Sequence, residues 1–202
     1  MRAVDDPRRF GVVEMAGERV ARFVEKPDVP PSNLAIVGAY VFRDAPALWR
    51  ALARVVGEDR RTKGEYQLTD ALQLMVEDGV RFTTVPVAGW YDCGKPETWL
   101  ETNRVLLAEA PAQTLRTPPG GEPPCLVPAG CVVRDSRLGP YVAVGEGAVI
   151  EACDLADCVI GAGARLRGCR LRASLVGECA VIRGVHGSVN VGDHCEIVAD
   201  ES

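Results

Sequence analysis

Aliphatic residues recur mostly every five or six positions between Leu126 and Ile197, and glycine directly follows several of them. A helix repeats every 3.6 residues and a strand every 2, so neither element explains this spacing. A triangular parallel β-helix does, because each hexad forms one short side, its aliphatic side chain points to the axis and glycine eases the corner. An ordinary β-sandwich with glycine turns is the alternative, but it does not call for so constant a register. The recurring residues are Leu126, Val132, Leu138, Val144, Ile150, Leu155, Ile160, Leu166, Leu171, Val176, Ile182, Val191 and Ile197, and the glycines are Gly139, Gly145, Gly161, Gly177 and Gly192.

Three such sides complete one coil, so this stretch predicts about four coils. Each coil buries its aliphatic side chains only by stacking on its neighbours. We therefore expect a β-helix domain at residues 125–202. The side chains expected at its axis are those of Leu138, Val144, Ile150, Ile160, Leu166, Val176 and Val191.

Proline and glycine crowd the segment before the repeats. Residues 117–124 read TPPGGEPP, a composition incompatible with a helix or a central strand. We predict a linker at residues 110–124, which leaves residues 1–109 as a separate domain.

Residues 1–109 alternate strand-like and helix-like segments. β-rich runs on both sides of Gly17 predict a hairpin, and the apolar, β-branched run at residues 34–42 predicts a strand covered on both faces. Residues 81–87 predict one more strand. The domain is therefore α/β, but an opening hairpin and few βαβ units indicate only part of a sheet domain.

Apolar residues at helical spacing predict three helices in the same domain. Two lie near residues 48–55 and 68–76, the second with Thr69 as its N-cap and Gly79 as its C-terminal stop. The third has Pro96 in its first turn. Its expected inner face consists of Trp99, Asn103, Leu106 and Leu107.

The charge balance is mildly acidic, with 23 basic residues against 28 acidic residues and a net charge of −5. A general nucleic-acid binder shows the opposite balance, although a few local Lys or Arg suffice for a small anionic substrate. No apolar run approaches the ~18 residues that a membrane helix needs, and the first ten residues lack the apolar core of a signal peptide. We therefore expect no nucleic-acid partner, no membrane segment and a cytoplasmic location.

Eight cysteines raise the alternatives of disulfides or zinc. No two of them are spaced as Cys-x-x-Cys, which argues against a zinc site. In a reducing cytoplasm we expect free thiols, most of them serving as small buried side chains.

Two short polar segments are candidates for chemistry. Glu25 and Lys26 end the hairpin, where such a pair by itself is more typical of a solvated tip. Asp92 follows Tyr91 and stands just before Gly94 and the third helix. A lone acid at such a place can hold a hard cation or a substrate hydroxyl, or it can cap the helix.

Taken together and in order, the motifs of this chain resemble the sugar-phosphate nucleotidylyltransferases over essentially all 202 residues. The nearest branch is that of the long-form glucose-1-phosphate thymidylyltransferases, which carry a C-terminal left-handed β-helix. The resemblance implies a partial Rossmann-like nucleotidyltransferase sheet domain followed by a left-handed parallel β-helix of hexapeptide repeats. The motifs are Phe10-Gly11-Val12-Val13, Val24-Glu25-Lys26-Pro27, Ser32-Asn33-Leu34-Ala35, Gly38-Ala39-Tyr40-Val41-Phe42, Gly64-Glu65, Leu68-Thr69-Asp70, Trp90-Tyr91-Asp92-Cys93-Gly94, Asn103, Gly177-Glu178 and Val191-Gly192-Asp193-His194.

In that family a sugar 1-phosphate attacks the α-phosphate of a nucleoside triphosphate and pyrophosphate leaves, so the protein positions substrates and neutralises charge. The resemblance implies that Glu25 holds sugar hydroxyls and that Lys26 pairs with the sugar phosphate. Gly11 and Tyr40 would line the sugar pocket. Lys63 stands where the family often has an arginine near the phosphate, and lysine lacks the planar bidentate contact that arginine provides.

The resemblance also implies Mg²⁺ as the cofactor, because Asp92 matches an aspartate ligand for that metal in the family. Asp92 and Lys26 would then be the catalytic residues. The implied substrates are a sugar 1-phosphate and a nucleoside triphosphate, with glucose 1-phosphate and dTTP as the expected pair.

One family feature has no counterpart in this sequence. The family opens with a glycine-rich loop that cradles the triphosphate, and no run like G-x-G-T-R occurs here. We therefore expect the nucleotide-binding half to be missing, whether through a late gene start, a fragment or a second polypeptide that supplies it. The chain by itself is then expected to be inactive.

Two other functions remain open. A hexapeptide-repeat acyltransferase would use a histidine as general base, and the candidates are His186, expected in a loop, and His194, expected to be structural. A non-catalytic partner subunit of a nucleotidyltransferase would suit the lack of a triphosphate loop. In each case the apolar ends and faces of a β-helix predict a homo-oligomer.

Overall fold

The structure is a computed structural model that describes residues 1–199. The chain forms two compact units, one at Met1–Trp90 and a second that begins at Tyr91. The boundaries predicted from the sequence, at 1–109, 110–124 and 125–202, stay predictions.

The helices are α1 (Ala45–Gly57), α2 (Leu68–Glu77) and α3 (Pro96–Glu109), with a 3-10 turn at Pro7–Arg9. The strands are β1 (Arg2–Ala3), β2 (Gly11–Ala16), β3 (Arg19–Glu25), β4 (Leu34–Ala35), β5 (Cys125–Leu126), β6 (Val132–Arg134), β7 (Arg137–Val144), β8 (Val149–Glu151), β9 (Asp154–Ile160), β10 (Arg165–Arg167), β11 (Arg170–Val176), β12 (Val181–Arg183), β13 (His186–Gly187), β14 (Asn190–Val191) and β15 (Glu196–Val198).

The first unit is an antiparallel sheet with two helices. Its strands follow the order β1-β4-β2-β3, and the predicted hairpin is confirmed as β2 and β3, joined through Gly17 at φ +63°. Helix α2 packs on β3 and on α1. The core consists of Val13, Val20, Phe23, Ile36, Ala47, Ala51, Val55, Ala71, Leu72, Leu74 and Met75.

Two strand predictions fail in this unit. Residues 34–42 form a strand only at β4, which pairs with β1 and with Val12, and Val41 is 92% exposed. Residues 81–87 form a single bridge, at Thr83, and no strand. The prediction is wrong in both places because a strand needs a hydrogen-bonded neighbour, and within residues 1–199 these segments have almost none.

The second unit contains the left-handed parallel β-helix. Strands β6, β8, β10, β12 and β15 form one five-stranded parallel sheet, so the structure has about five coils rather than the four predicted. Val149, Arg165 and Val181 pair in register, and each coil therefore takes 16 residues. A 16-residue coil is shorter than three full hexads, which is why the spacing alternates between five and six.

The predicted axial side chains are buried. Leu138, Ile150, Ile160, Leu166, Val144, Val176 and Val191 all belong to the core of this unit. Leu126 and Ile197, which lie in the first and last coils, are 37% and 36% exposed. The period therefore identified the axis, and only the end coils depart from it because they lack a neighbour on one side.

A column of glycines lets successive coils approach closely at one corner. A Cβ on Gly161 would lie 2.5 Å from the backbone nitrogen of Glu178, and one on Gly145 or Gly177 would meet the next coil at 2.4 Å. Real Cβ atoms do not come this near to backbone, so the position requires glycine.

Helix α3 lies against the β-helix, contacting β7, β9 and β11. Asn103 donates from Nδ2 to the carbonyl oxygen of Tyr141 at 3.0 Å, and Arg104 makes a bidentate contact with Asp157. The buried apolar residues of the helix are Leu100 and Leu107, whereas Trp99 and Leu106 are half-exposed. The predicted inner face is therefore right for Asn103 and Leu107 and wrong for Trp99 and Leu106, because the helix meets the β-helix along a different line.

All eight cysteines are free thiols. Four are buried, Cys131 is half-buried, and Cys93, Cys179 and Cys195 are exposed, so half rather than most of them fill the core. None of the helices in the described part of the chain is both long and apolar enough to cross a bilayer.

Candidate functional site

The carboxylate of Glu25 lies at the end of β3, where one hydroxyl group holds it. Gly11 and Glu25 are register partners at the open end of the hairpin. Thr69 donates from Oγ1 to Glu25 Oε2 at 2.6 Å. The Glu25 side chain is only 9% exposed and Thr69 is buried, so this bond fixes the carboxylate with one oxygen still available.

Gly11 makes room for that arrangement. A Cβ on this residue would lie 2.8 Å from Glu25 Oε2 and 3.0 Å from Thr69 Oγ1. Its carbonyl oxygen accepts from the Ile36 N–H at 2.8 Å. Any side chain here would therefore displace either the carboxylate or the hydroxyl that holds it.

Lys26 places a cation beside the carboxylate. Its Nζ lies 3.8 Å from Glu25 Oε1, and its side chain is 41% exposed. The residue has φ +40°, a left-handed conformation that few non-glycine residues adopt, and its N–H donates to the Phe10 carbonyl oxygen at 3.1 Å. The ammonium therefore keeps donors for an anion while the backbone fixes its position.

Tyr40 is half-buried and stacks on Phe42, with ring centroids 5.9 Å apart. Burial raises the pKa of the Tyr40 hydroxyl, and the negative charge of Glu25 raises it further. The phenol therefore stays protonated near neutral pH and serves as a neutral hydrogen-bonding group in the same electrostatic neighbourhood.

Lys63 already has an acidic partner. Its Nζ contacts Asp28 Oδ1 at 2.8 Å, and both side chains are at least half-exposed. The hydrogen bond from Lys63 holds the pKa of Asp28 below its usual range. An incoming phosphate would have to compete with this ion pair, which is worth little in water.

Asp92 lies at the start of the second unit. Its Oδ1 accepts from the Gly94 N–H at 3.2 Å. It does not cap α3, because the N-cap is Lys95, whose N–H donates to Thr98 Oγ1 at 3.3 Å. The capping alternative for Asp92 is therefore wrong.

A metal site needs more than one ligand in most proteins, and residues 1–199 contain no group of three or more His, Cys, Asp or Glu side chains close enough to share a metal ion. Asp92 offers a single carboxylate. Mg²⁺ is commonly held by one or two carboxylates together with substrate phosphates, so Asp92 has suitable chemistry for one ligand and no more.

Thr69 is the functional residue that sequence reasoning missed. The sequence predicted it as the N-cap of α2, but the N-cap is Gln67 and Thr69 lies inside the helix. A β-branched hydroxyl on the buried side of a helix was the available signal, because such a hydroxyl needs a buried partner. Glu25 is that partner.

Comparison with known proteins agrees with this site. Residues 1–109 match the Nucleotidyl transferase family. The chain is 38% identical over 111 residues to a low-salt glycan biosynthesis nucleotidyltransferase of Haloferax volcanii, an alignment covering 54% of this chain and 30% of that protein. It is 31% identical over 172 residues to a glucose-1-phosphate thymidylyltransferase of Streptomyces griseus, covering 73% of this chain and 46% of that protein.

A third relative is a glucose-1-phosphate adenylyltransferase of Desulforamulus reducens, with 32% identity over 168 residues, 70% of this chain and 41% of that protein. The chain thus spans less than half the length of these relatives. The family match covers more than half of the chain, and it includes Gly11, Glu25, Lys26 and Thr69. This chain therefore belongs to the sugar-phosphate nucleotidylyltransferase family.

Proposed function

We propose that this chain carries the sugar-phosphate side of a sugar-1-phosphate nucleotidylyltransferase. The proposed reaction joins glucose 1-phosphate and dTTP to give dTDP-glucose and pyrophosphate. The observation that carries the proposal is the pre-positioned Glu25 carboxylate, held by Thr69 beside Gly11 and next to a lysine. The thymidylyltransferase of Streptomyces griseus supports the choice of substrates.

The two charged groups suit the two ends of a sugar phosphate. Glu25 would accept hydrogen bonds from sugar hydroxyls, and Gly11 would let the sugar approach the backbone. Lys26 would bind a phosphate oxygen with its compact cation. Tyr40 would line the sugar pocket with its neutral phenol, and Lys63 would reach the phosphate by exchanging Asp28 for it.

Asp92 is proposed as a ligand for Mg²⁺ and, with Lys26, as a catalytic residue. The metal would neutralise phosphate charge as pyrophosphate leaves. Asp92 would contribute one carboxylate oxygen, and its bond to the Gly94 N–H would fix the orientation of the side chain.

The nucleotide side of the reaction requires a triphosphate cradle, and this sequence contains no glycine-rich run of the G-x-G-T-R kind. We propose that activity depends on a further polypeptide segment that provides it. We also propose a homo-oligomer, based on the exposed aliphatic residues of the end coils, and a cytoplasmic location, based on the eight free thiols.

Binding of glucose 1-phosphate to the 202-residue chain tests the proposal. We expect saturation-transfer NMR to detect the sugar phosphate, and Lys26→Ala to weaken its binding about tenfold, the typical value of a charge-assisted hydrogen bond. Glu25→Gln should weaken it as well. Arg22→Ala, which removes an exposed cation from the same strand, is the matched control and should leave binding unchanged.

Two results would overturn the proposal. One is the absence of any transfer from glucose 1-phosphate to the chain. The other is an equal loss of binding in Lys26→Ala and Arg22→Ala, which would show that only the net charge matters.

The acyltransferase alternative finds no support in the site. His186 lies in the short strand β13 rather than in a loop, and both it and His194 are exposed. The partner-subunit alternative shares the sugar-phosphate site, and the genomic sequence upstream of Met1 separates the two. An in-frame G-x-G-T-R-like stretch supports the enzyme, and a stop codon followed by a ribosome-binding site supports the partner subunit.

A further inference from the structure

Two buried thiols are stacked on successive coils of the β-helix. Cys153 directly precedes Asp154 and Cys169 directly precedes Arg170, and Asp154 and Arg170 are register partners. The two cysteines are therefore equivalent residues, 16 positions apart in the chain. Both are almost completely buried, at 4% and 2% exposure.

The side chains of this pair contact one another. The Cys169 N–H donates to Cys153 Sγ at 3.4 Å, and a hydrogen bond joins the two thiols. Neighbouring strands lie about 4.7–4.9 Å apart, a separation within the Cα range of about 4.4–6.8 Å that a disulfide spans. The geometry therefore allows a bond between the two sulfurs without separating the coils.

A cavity gives small molecules access to the pair. It has a volume of about 420 Å³, and its lining includes both cysteines together with Arg137, Arg170 and His186. Arginine next to a thiol favours the reactive thiolate form. The thiol–thiol hydrogen bond acts in the same direction on one partner, because it lowers the pKa of Cys169 while it raises the pKa of Cys153.

The other buried cysteine of this region lacks these features. Cys158 has Val142 and Ser174 as register partners on the two neighbouring coils. Burial raises the pKa of Cys158 to about 11. It therefore offers a built-in comparison with the same burial and no second thiol.

We propose that Cys153 and Cys169 form a redox-active dithiol that a peroxide converts into a disulfide between two coils. The Cys169 thiolate attacks one peroxide oxygen, so that an S–O bond forms, the O–O bond breaks and water leaves after protonation. Cys153 then attacks the sulfenic sulfur, the S–S bond forms and a second water leaves. The two thiols lose two electrons and hydrogen peroxide gains them.

The disulfide would link coils that are otherwise held by hydrogen bonds and packing. It closes a short loop, which restricts the unfolded chain more than the folded one. The oxidised β-helix should therefore resist thermal unfolding better than the reduced one.

Peptide mapping of the full chain tests the proposal. The reduced protein is treated with hydrogen peroxide under native conditions, blocked with an alkylating reagent and digested without reduction. Cleavage before Asp154 separates Cys153 from Cys158, so the link can be assigned. We expect a Cys153–Cys169 peptide pair and a rise in Tm of about 6 °C.

Serine variants provide the controls. Cys153→Ser should fold, because Ser136 occupies the same column one coil earlier, where its Oγ accepts from the Cys153 N–H at 2.9 Å. Oxidation should no longer raise the Tm of Cys153→Ser, whereas Cys158→Ser should behave like the wild type. Recovery of Cys153 and Cys169 as alkylated thiols, with only Cys93, Cys179 and Cys195 oxidised, would refute the proposal. So would a rise in Tm that persists in Cys153→Ser.

Discussion

One hydroxyl determines whether the Glu25 carboxylate is held in place. Thr69 is 5% exposed and its hydroxyl donates the 2.6 Å bond to Glu25. Thr69→Val keeps the shape and removes the donor, leaving a nearly buried carboxylate oxygen unsatisfied. We expect the free energy of unfolding, measured by urea denaturation, to fall by about 2 kcal/mol.

The control for Thr69→Val keeps the hydroxyl. Thr69→Ser loses only a methyl group and should cost about 1 kcal/mol. The Ser variant should also retain glucose 1-phosphate binding, which the Val variant should weaken. Equal losses of stability in the two variants would show that Thr69 matters only for packing.

Asp92 separates the metal-ligand role from a structural one. In Asp92→Asn the side-chain oxygen can still accept from the Gly94 N–H, so stability should change by less than about 0.5 kcal/mol. When the chain is complemented with a triphosphate-binding segment, the variant should mainly lower kcat and weaken the dependence on Mg²⁺, because the carboxylate charge is lost. A complemented variant with unchanged kcat and an unchanged Mg²⁺ titration would exclude Asp92 as a metal ligand.

The residues of the site could be predicted to different degrees. Gly11, Glu25 and Lys26 stand within or beside short motifs that identify them. The interaction of Thr69 with Glu25 could not be predicted, because 44 positions separate the two residues and only folding brings α2 against β3. The ion pair of Lys63 with Asp28 was hidden for the same reason.

At the scale of the elements, the β-helix depends on its axial column. Ile160 is 1% exposed and pairs in register with Val144 and Val176. Ile160→Asp places an unpaired carboxylate in this column and should lower the free energy of unfolding by about 4 kcal/mol. Circular dichroism during thermal unfolding measures the loss.

The end coil supplies the matched substitution. Ile197 belongs to the same sequence pattern but is 36% exposed, so Ile197→Asp leaves its carboxylate hydrated and should change Tm by no more than about 2 °C. If Ile160→Asp melted like Ile197→Asp, the axial position of Ile160 would be wrong.

The elements differ in how much the sequence reveals of them. The β-helix was predictable because each coil repeats the pattern of the previous one, so chance runs average out. The strand expected at 34–42 was not, because an apolar run records that a segment is suited to burial and not which segment lies beside it. For α3, the helical period was clear, but the line of contact with β7 and β9 depends on three-dimensional packing.

For the molecule as a whole, we expect no nucleotidylyl transfer by the 202-residue chain alone. Leaving pyrophosphate must be stabilised by backbone N–H groups and cations of a triphosphate cradle, whose loss costs many powers of ten in rate. Incubation with glucose 1-phosphate, dTTP and Mg²⁺ should release no pyrophosphate above the uncatalysed background. Turnover at an ordinary rate of about 1 s⁻¹ or more would show that the triphosphate site lies within this chain.

Sixteen residues carry the chain once around the β-helix and return every column to its own corner. One extra residue inside a strand would turn the following side chains to the opposite face, and it would move Gly161 away from the backbone of the next coil, where only glycine fits. Evolution can therefore lengthen this part of the molecule only by whole storeys, or by loops that bulge outward at a corner. The β-helix behaves as a ruler with fixed divisions, and related chains should differ from it by multiples of one coil.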